Sequence, residues 1–237
     1  WVESAFWCMD SMWIPQDHPS REVQDTFYLP YKGTFPEALA RKVAVSHETG
    51  GQTGSKGYKY TWNPQLAQQL LLRTHTTATT FRYFGEKNIQ APAKYFYVGR
   101  IFRNEALDAT HLSEFHQVEG FIMDDGLTLR DLMGYIKEFY QRLGVTKIKF
   151  KPTYNPYTEP SLECYGYNEH LGKWIELINC GVFRPEALEP FGITKPVIAW
   201  GFGLERLAMM VYGQKDIRQV FGTLTDLDFL RSYALPK

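Results

Sequence analysis

The sequence lacks the features of a membrane protein, a disulfide-stapled protein or a zinc protein. No apolar run approaches the ~20 residues needed to span a bilayer, and no basic stretch precedes an apolar one near the N-terminus. Cysteine is scarce: Cys8, Cys164 and Cys180 are odd in number and have no C-x-x-C spacing. That pattern argues against disulfides and zinc and favours a reducing compartment. We therefore expect a cytoplasmic location and no membrane partner.

An excess of charge of one sign is also absent. Twenty-six basic residues balance twenty-six acidic ones, so no global positive field is available to hold a nucleic-acid backbone. If this chain acts on a nucleic acid, we expect most of the binding surface to lie in another domain or another chain. Core-forming residues are abundant: 44% of the 237 residues are hydrophobic and 16% aromatic. This is enough for one substantial core, and we expect a single domain over residues 1–237.

The segment 99–120, GRIFRNEALDATHLSEFHQVEG, predicts a hairpin that carries most of the chemistry. Aromatic and β-branched residues indicate two strands joined by a polar loop at 106–114, and side chains alternate between faces with a period of two. Antiparallel pairing then collects a guanidinium, two carboxylates, an amide and an aromatic ring on one face. These residues are Arg103, Glu105, Phe115, Gln117 and Glu119.

That polar face has two interpretations. One is a solvated surface with an ordinary ion pair between Arg103 and Glu105 or Glu119, which contributes little to stability. The other is a ligand site, because the same residues lie between the apolar flanks YFYV and FIM. Partly buried charges need partners, and a ligand with a phosphate and an ammonium group supplies them. The flanks favour the ligand site.

Four stretches carry a resemblance to a known family. FRNEALDATHLSEFHQVEG resembles motif 2 of the class II aminoacyl-tRNA synthetases, and DATHLSEFHQVEG is similar to the phenylalanyl-tRNA synthetase α-subunit family. LLRTHTTATT at 71–80, NPYTEP at 155–160 and AWGFGLERLAMMVYG at 199–213, which resembles motif 3, follow the family's order. The resemblance covers nearly the whole chain. Motif 1 is not recognisable, so the chain is expected to begin at or just after it.

The resemblance implies that ATP and Mg²⁺ are bound. Arg103 is expected to hold the α-phosphate and Arg206 to act with it in catalysis. Phe115 and Arg206 are expected to sandwich the adenine, with Glu105 accepting a hydrogen bond from its amino group and His111 meeting the outer phosphates. Glu163, Glu176 and Asn179 are candidate magnesium ligands that the sequence does not rank.

The resemblance also implies a phenylalanine site. His75, Thr77, Gln117 and Glu119 are expected to bind the ammonium and carboxylate groups. Asn155, Tyr157 and Ala199 are expected around the ring, and the triplet NPY is typical of the archaeal and eukaryotic branch. Expected partners are L-phenylalanine, tRNA(Phe) and a β subunit in an α2β2 assembly.

Some of these residues carry a signal of their own. His75 and its hydroxyl neighbours are too many hydrogen-bonding groups for a core-facing helix end, although Thr76 or Thr77 equally fits a cap of the next helix. Gly201 and Gly203 allow the backbone to pass close to a ligand. Arg206 in the first turn of the following helix adds to an anion-binding end, whereas a solvated arginine is the plainer interpretation of that residue alone.

Two further segments stay open at the level of sequence. QDHPSREVQDTFYL, at 16–29, fits either a surface turn or a functional role for Asp17, His18 and Arg21. TGGQTGSKG, at 49–57, does not have the order of a phosphate-binding P-loop, and it fits either a flap over the substrate or a connector.

The remaining pattern predicts an α+β fold, a mainly antiparallel sheet flanked by helices. Apolar spacing predicts helices in six places, and alternation predicts three strands besides the hairpin. The helices are expected at 1–12, at 36–45, from Asn63 through Leu71, at 78–84 and from Thr128 to Leu143. The strands are expected at 145–150, 161–167 and 173–182, before a last helix at 204–211.

Two alternatives to the phenylalanine enzyme remain. A phosphoseryl-tRNA synthetase needs a pocket that pairs a dianion, and Tyr157 without an added basic neighbour argues against it. A paralogue that only binds or regulates has no reason to retain buried charges that cost stability, yet all the charged motif residues are present.

Overall fold

The structure is a computed structural model that describes residues 1–221, 224 and 226–232. These residues form two antiparallel sheets with helices packed against them, which confirms the α+β prediction. The strands are β1 (Val2–Ser4), β2 (Tyr28–Lys32), β3 (Gln69–Leu72), β4 (Ala93–Phe102), β5 (Glu114–Met123), β6 (Ile148–Asn155), β7 (Thr158–Asn168), β8 (Lys173–Phe183) and β9 (Val197–Gly203). The helices are α1 (Ala5–Cys8), α2 (Glu37–Thr49), α3 (Pro64–Ala67), α4 (Thr77–Glu86), α5 (Leu129–Arg142), α6 (Pro185–Leu188), α7 (Leu204–Val211) and α8 (Leu227–Ser232).

The larger sheet has six strands in the order β4-β5-β9-β8-β7-β6, and the smaller one has the order β1-β3-β2. Every paired neighbour in both sheets is antiparallel. The motif 3 strand β9 therefore lies between the hairpin strand β5 and β8, which brings stretches distant in sequence side by side. Among the described residues, no helix combines the length and the apolar character needed to cross a lipid bilayer.

The predicted hairpin is confirmed. Ile101 pairs with Phe115 and Tyr97 with Glu119, so Phe115, Gln117 and Glu119 share a face. The first strand ends at Phe102, earlier than expected, and Arg103 and Glu105 belong to the connecting loop. Arg103 still lies on the expected face, because its guanidinium carbon is 5.6 Å from the centre of the Phe115 ring.

Two apolar cores lie on opposite faces of the large sheet. On one face, Phe121, Phe183 and Ala199 pack against α1 and α4. On the other, Ile122, Ile178 and Ile198 pack against α5 and α7. Strand side chains alternate between the faces, so Ala199 belongs to the first core and its neighbour Ile198 to the second. The polar face of the hairpin is on the side of the first core.

Two helix predictions near the N-terminus were wrong. Residues 1–12 form β1, the single turn α1 and a short 3-10 turn at Asp10–Met12. The helix expected from Asn63 through Leu71 is confined to α3, and Leu70 and Leu71 lie in β3, between β1 and β2. A short apolar run does not separate a buried helix from a buried strand, and here pairing to two neighbouring strands decides the outcome.

The glycine-rich segment 49–57 forms a compact turn behind α2. Gly50 ends the helix in the left-handed region, with φ at +82°. The Tyr58 N–H donates to the His47 carbonyl at 2.6 Å, and the Tyr58 hydroxyl donates to the Trp13 carbonyl at 2.8 Å. None of these glycines is among the described residues that line the cavities of the polar face, so the flap interpretation has no support.

Candidate active site

A cavity of about 360 Å³ opens where the hairpin, β8, β9 and the start of α7 meet, and we call it the main cavity. Its volume is within the usual range for small-molecule sites. The predicted site residues in its lining are His75, Arg103, Glu105, His111, Phe115, Gln117, Asn155, Tyr157, Glu176, Asn179 and Arg206. The fold therefore brings together groups from the hairpin, both central strands and the Asn155 turn.

A smaller cavity of about 40 Å³, the inner cavity, continues from the main one and shares part of its lining. Thr77, Glu119 and Ala199 line it, together with Gly181 and Phe183. Ala199 is 5% exposed and pairs with Phe121 and Gly181 across the sheet. The residues expected around an aromatic ring thus lie next to those expected around an ammonium group.

Glu119 is a buried carboxylate surrounded by hydroxyls. It is 3% exposed and accepts hydrogen bonds from Thr77 at 2.5 Å, Thr80 at 2.7 Å and Thr76 at 3.2 Å. Burial raises the pKa of Glu119, and the threonine hydroxyls oppose that shift. Neutral donors stabilise the charge without cancelling it, so a cationic group in the inner cavity would complete the arrangement.

Gln117 is oriented by the chain that leads into α4. Its Oε1 accepts from the Thr76 N–H at 2.9 Å and from the Thr76 hydroxyl at 3.2 Å. Its Nε2 lies only 2.9 Å from the point where a Cβ on Gly201 would stand. Because the oxygen is occupied, the amide N–H donors remain for a ligand acceptor such as a carboxylate.

His75 is half-buried between the N-terminal segment and Tyr157. Its Nε2 is 3.8 Å from the Cys8 Sγ, and its ring stacks on Tyr157 with centroids 6.4 Å apart. Burial lowers the pKa of His75 to about 4, so the ring is neutral at pH 7. Its buried Nδ1 has no hydrogen-bond partner among the described residues, and an unpaired buried nitrogen is satisfied when a ligand binds beside it.

Arg103 is half-exposed, and its donors are only loosely engaged. Nε donates to the Thr74 carbonyl at 3.3 Å, and Nη1 lies 3.8 Å from the Glu105 carboxylate. The guanidinium lies over Phe115 as well. An exposed ion pair with this separation is weak. An anion in the cavity would therefore displace Glu105 from the guanidinium at a small cost in free energy.

The proposed adenine-binding groups face each other across Gly203. A Cβ at this glycine would be 3.7 Å from the Phe115 ring and 3.9 Å from the Arg206 Cβ, so the glycine forms an open floor between them. Arg206 is held by a 3.4 Å hydrogen bond from Nη1 to the Glu176 carbonyl. A flat ring between Phe115 and a guanidinium is favoured by stacking and cation–π attraction.

His111 is fixed by the turn in the hairpin loop. The Asp108 carboxylate accepts from the backbone N–H groups of Thr110 and His111 and lies 3.0 Å from His111 Nδ1. These hydrogen bonds lower the pKa of Asp108. The imidazole is thus held at the end of the main cavity expected for the outer phosphates.

Only two of the three candidate magnesium ligands line the main cavity. Glu176 and Asn179 line the main cavity, and the Asn179 amide donates to Glu176 at 3.0 Å. Glu163 is outside that lining, and its carboxylate accepts from Thr153 at 2.9 Å and Tyr165 at 2.8 Å. Within the described ranges, no group of three or more His, Cys, Asp or Glu side chains has the geometry of a protein-built metal site.

Sequence reasoning missed two sets of supporting residues. Thr76 and Thr80 hold Glu119, and their spacing of four, with Thr77 between them, puts them on one side of a helix start, a signal present in THTTATT. Glu205 is 4% exposed and accepts from the His116 backbone N–H at 2.9 Å and its Nδ1 at 2.6 Å. The contact between His116 and Glu205 joins β5 to α7, and no local sequence pattern predicts it.

Comparison with known proteins gives one consistent family. A family model described as "tRNA synthetases class II core domain (F)" matches residues 1–233. The "Phenylalanine--tRNA ligase alpha subunit" of Mus musculus is 49% identical over 97% of this chain and 46% of its own length. The proteins of that name from Drosophila melanogaster and Schizosaccharomyces pombe are 50% and 48% identical over 96% and 98% of this chain, and 47% and 48% of their own lengths. The chain spans about half the length of the curated relatives it matches.

A solved structure shows the same fold at low identity. Pyrrolysyl-tRNA synthetase from Desulfitobacterium hafniense superposes with a TM-score of 0.63 over 96% of this chain and 66% of that one, at 17% identity.

Proposed function

Because this chain belongs to the family of class II tRNA synthetase core domains, we propose that it activates L-phenylalanine with ATP and transfers the phenylalanyl group to tRNA(Phe). It would do so as the catalytic domain of the α subunit of an archaeal or eukaryotic-type phenylalanine–tRNA ligase, with residues 1–237 as a single domain. The relatives of that name, near 50% identity, support the choice of amino acid.

The observation that carries the proposal is the pairing of two cavities with opposite chemical demands. The inner cavity presents the buried Glu119 carboxylate and fits a cation, while the main cavity presents Arg103 and Arg206 and fits anions. Gln117 lines both cavities. An amino acid with its ammonium at Glu119 would therefore direct its carboxylate toward Arg103, where the α-phosphate of ATP is expected.

The reaction then proceeds by positioning and electrostatics. A carboxylate oxygen of phenylalanine attacks the α-phosphorus, the bond to the pyrophosphate oxygen breaks, and phenylalanyl-adenylate forms. Arg103 stabilises the negative charge that develops on the α-phosphate, while Phe115 and Arg206 hold the adenine and Glu105 accepts from its amino group. No side chain needs to remove a proton in this step, so alignment of the two substrates supplies most of the rate.

Magnesium fits the site in a limited way. The ion commonly binds through one or two carboxylates plus substrate phosphates, and it would neutralise charge on the triphosphate when bound. Glu176, with Asn179 beside it, would hold it in the main cavity, and this role does not need a three-ligand protein cage. Glu163 remains a weaker candidate because its carboxylate is engaged elsewhere.

The lining of the inner cavity supports phenylalanine over phosphoserine. Tyr157, Phe183 and Ala199 line it, and no lysine or arginine is among its described lining residues. A phosphate dianion there would face Glu119 without a cation, which is a large desolvation cost. Full activity is proposed to need a β subunit, which the term "alpha subunit" in the relatives' names supports. We further propose an α2β2 assembly located in the cytoplasm.

The test is ATP–pyrophosphate exchange by the full-length enzyme with phenylalanine, phosphoserine or no amino acid. We expect exchange with phenylalanine alone. Exchange with phosphoserine would reassign the amino acid. An absence of exchange with both, in an enzyme that still binds ATP, would support a non-catalytic paralogue.

A further inference from the structure

The two residues expected to hold the adenine each have a sequence neighbour that belongs to a second contact. His116 follows Phe115 in β5, and Glu205 precedes Arg206 in α7. Phe115 and Arg206 line the main cavity, whereas neither His116 nor Glu205 is among its described lining residues. We call the space between Phe115 and Arg206 the adenine slot. The contact between His116 and Glu205 joins the same two elements outside the cavity.

This contact is charged and short. The Glu205 carboxylate accepts from the His116 backbone N–H at 2.9 Å and from its ring Nδ1 at 2.6 Å. Because a carboxylate only accepts, His116 Nδ1 carries a proton. Glu205 is buried, and it forms no ion pair with a lysine or arginine in the described part of the chain. Loss of the His116 donors would leave a buried anion poorly satisfied, so the contact is costly to break.

Glu205 lies where a strand ends. The pairing of β5 with β9 runs from Met123 to Gln117, and the last partner is Gly203. His116 is the next residue of β5, and at that point the chain after β9 has turned into α7. A backbone N–H needs an acceptor, and the Glu205 carboxylate supplies the one that β9 no longer offers. The length of this side chain therefore sets the distance between β5 and the start of α7.

The walls of the adenine slot have few other constraints on their separation. Arg206 makes one long hydrogen bond, 3.4 Å from Nη1 to the Glu176 carbonyl. Gly203 leaves the floor open between the walls. Packing of the Phe115 ring near Met209 of α7 draws the walls together without fixing a distance, because apolar contacts are not directional. A charge-assisted hydrogen bond is short and directional, so the contact behind the slot is the better determinant of its width.

We propose that Glu205 and His116 are positioning residues that hold the adenine slot at the width of a base ring. This rests on the proposed function, in which ATP binds with its adenine between Phe115 and Arg206. Neither Glu205 nor His116 touches ATP in this arrangement, and each acts through its sequence neighbour. Stacking and cation–π attraction both need close contact with the ring, so a wider slot weakens the hold on the base. The phosphates and phenylalanine are bound by other residues.

The experiment is ATP–pyrophosphate exchange by the full-length enzyme, with each substrate varied in turn. We expect Glu205→Ala to raise KM for ATP about tenfold and to leave KM for phenylalanine within about twofold, because only the adenine slot loses its charged hydrogen bonds. Glu205→Gln retains an oxygen that accepts from the His116 N–H, and it should recover part of the affinity for ATP. His116→Asn retains a side-chain N–H close to the position of Nδ1, and it should exceed His116→Ala in the same way.

Two competitors of ATP distinguish the base from the phosphates. Adenosine lacks the phosphates, and tripolyphosphate lacks the base. In Glu205→Ala, inhibition by adenosine should weaken about tenfold, while inhibition by tripolyphosphate should stay within about twofold of the unmodified enzyme. A residue that only supports the fold would affect both competitors alike.

Glu186→Ala is the matched control. Glu186 is also a buried glutamate in the first turn of a helix, α6, and it is outside the described linings of the main and inner cavities. Its removal should lower the melting temperature and change neither KM.

Three results would overturn the proposal. The first is an unchanged KM for ATP in Glu205→Ala, and the second is an equal rise of both KM values. The third is equal weakening of adenosine and tripolyphosphate. Failure of the proposed function has a different result, the absence of phenylalanine-dependent exchange in the unmodified enzyme. Calorimetric titration of ATP into the same variants, which needs no phenylalanine, would then still decide whether the contact holds the slot.

Discussion

At the scale of single residues, Arg103 is the most direct test of the proposed chemistry. Its guanidinium has only long contacts to protein groups, so its removal costs the fold little. We expect Arg103→Ala to lower kcat for adenylate formation by about 10²-fold or more, because a charged donor at the reacting phosphate acts mainly in the transition state. ATP–pyrophosphate exchange measures this.

Arg100 is the matched control for that variant. It lies in β4, three residues before Arg103, forms an ion pair with Glu114 at 2.8 Å and is outside the lining of the main cavity. Arg100→Ala should leave exchange nearly unchanged. Similar activities for the two alanine variants, both well folded, would contradict the role assigned to Arg103.

Glu119 predicts a pH dependence of phenylalanine binding. Burial raises the pKa of this carboxyl, so it takes up a proton at a higher pH than a free glutamate, whose pKa is about 4.3. Protonation removes the charge that attracts the ammonium group. Affinity for phenylalanine should therefore fall as the pH is lowered toward that raised pKa, and affinity for ATP should not. The pKa of His75, lowered to about 4, keeps this ring neutral through most of that range.

Calorimetric titration of phenylalanine across pH 5 to 8 checks the effect. Glu119→Gln should bind phenylalanine much more weakly than the unmodified protein, and without this dependence on pH. The free energy of unfolding should depend on pH in the opposite sense to phenylalanine binding, and Glu119→Gln should lack this dependence too. Since the pKa is raised on folding, the native carboxyl favours folding at low pH and loses that advantage as the pH rises through its folded pKa. Equal losses of phenylalanine and ATP binding in the variant would make Glu119 a structural residue.

Ala199 tests the end of the ring pocket. Its buried methyl lines the inner cavity, and we expect Ala199→Gly to admit para-chlorophenylalanine while phenylalanine is still activated. A pocket discriminates against one small apolar group by only roughly 1–3 kcal/mol. Removal of one methyl from the pocket is therefore enough to change kcat/KM for the para-chloro analogue. Exchange kinetics with both amino acids provide the measurement.

A buried alanine outside the cavity serves as control. Ala93→Gly, also in a strand, should lower stability by the roughly 0.5–1 kcal/mol of backbone entropy and leave the substrate range alone. If Ala199→Gly behaves in the same way, its methyl is ordinary core packing.

At the scale of elements, we expect the two glycines of β9 to affect different substrates. A Cβ on Gly201 would stand 2.9 Å from the Gln117 amide nitrogen, whereas one on Gly203 would meet Phe115 at an ordinary 3.7 Å. Gly201→Ala should displace Gln117 and raise KM for phenylalanine. Gly203→Ala should narrow the adenine slot and raise KM for ATP. Exchange assays with each substrate varied in turn would contradict this assignment if both variants raised the same KM.

Elements with their own boundary signals were predicted well from sequence. The helix expected from Thr128 is α5, where Thr128 and Asp131 cap each other reciprocally and Gly144 follows the last turn. Helix α7 has the predicted bounds as well. The wrong predictions concern apolar runs that are too short to show a helix or strand period, as at Leu70. There, pairing with strands distant in sequence determines the secondary structure.

The candidate site follows the same division. Residues adjacent in a motif, such as Gln117 and Glu119, were found together because strand alternation places them on one face. Contacts across the fold had no such signal: the Arg21 contact with Asp10 depends on how the N-terminal segment folds back. Glu163 in β7 is the cross-strand partner of Asn179 in the adjacent strand β8. Hydrogen bonds from Thr153 and Tyr165 nevertheless hold its carboxylate outside the main cavity, and no local sequence pattern indicates this.

At the scale of the whole molecule, the balanced charge predicts weak binding of tRNA by this chain alone. Twenty-six basic and twenty-six acidic residues leave no net attraction for a phosphate backbone. We expect the isolated chain to bind tRNA(Phe) far more weakly than the full-length enzyme with its partner subunit, in filter-binding assays at one salt concentration. Equal affinities would place the tRNA-binding surface within these 237 residues.

The threonine hydroxyls around Glu119 have a consequence for the stability of the fold. Among the described residues, the buried Glu119 carboxylate is held by threonine hydroxyls and not by a lysine or arginine, and the buried His75 Nδ1 has no hydrogen-bond partner, so both groups are costly to bury. Under the proposed function, the ammonium group of phenylalanine would offset that cost, so the amino acid should stabilise the folded protein. Ligand at 100 times its Kd adds about 2.7 kcal/mol to the free energy of unfolding. If the proposed function holds, the folded enzyme should therefore unfold less readily in the presence of phenylalanine than in its absence.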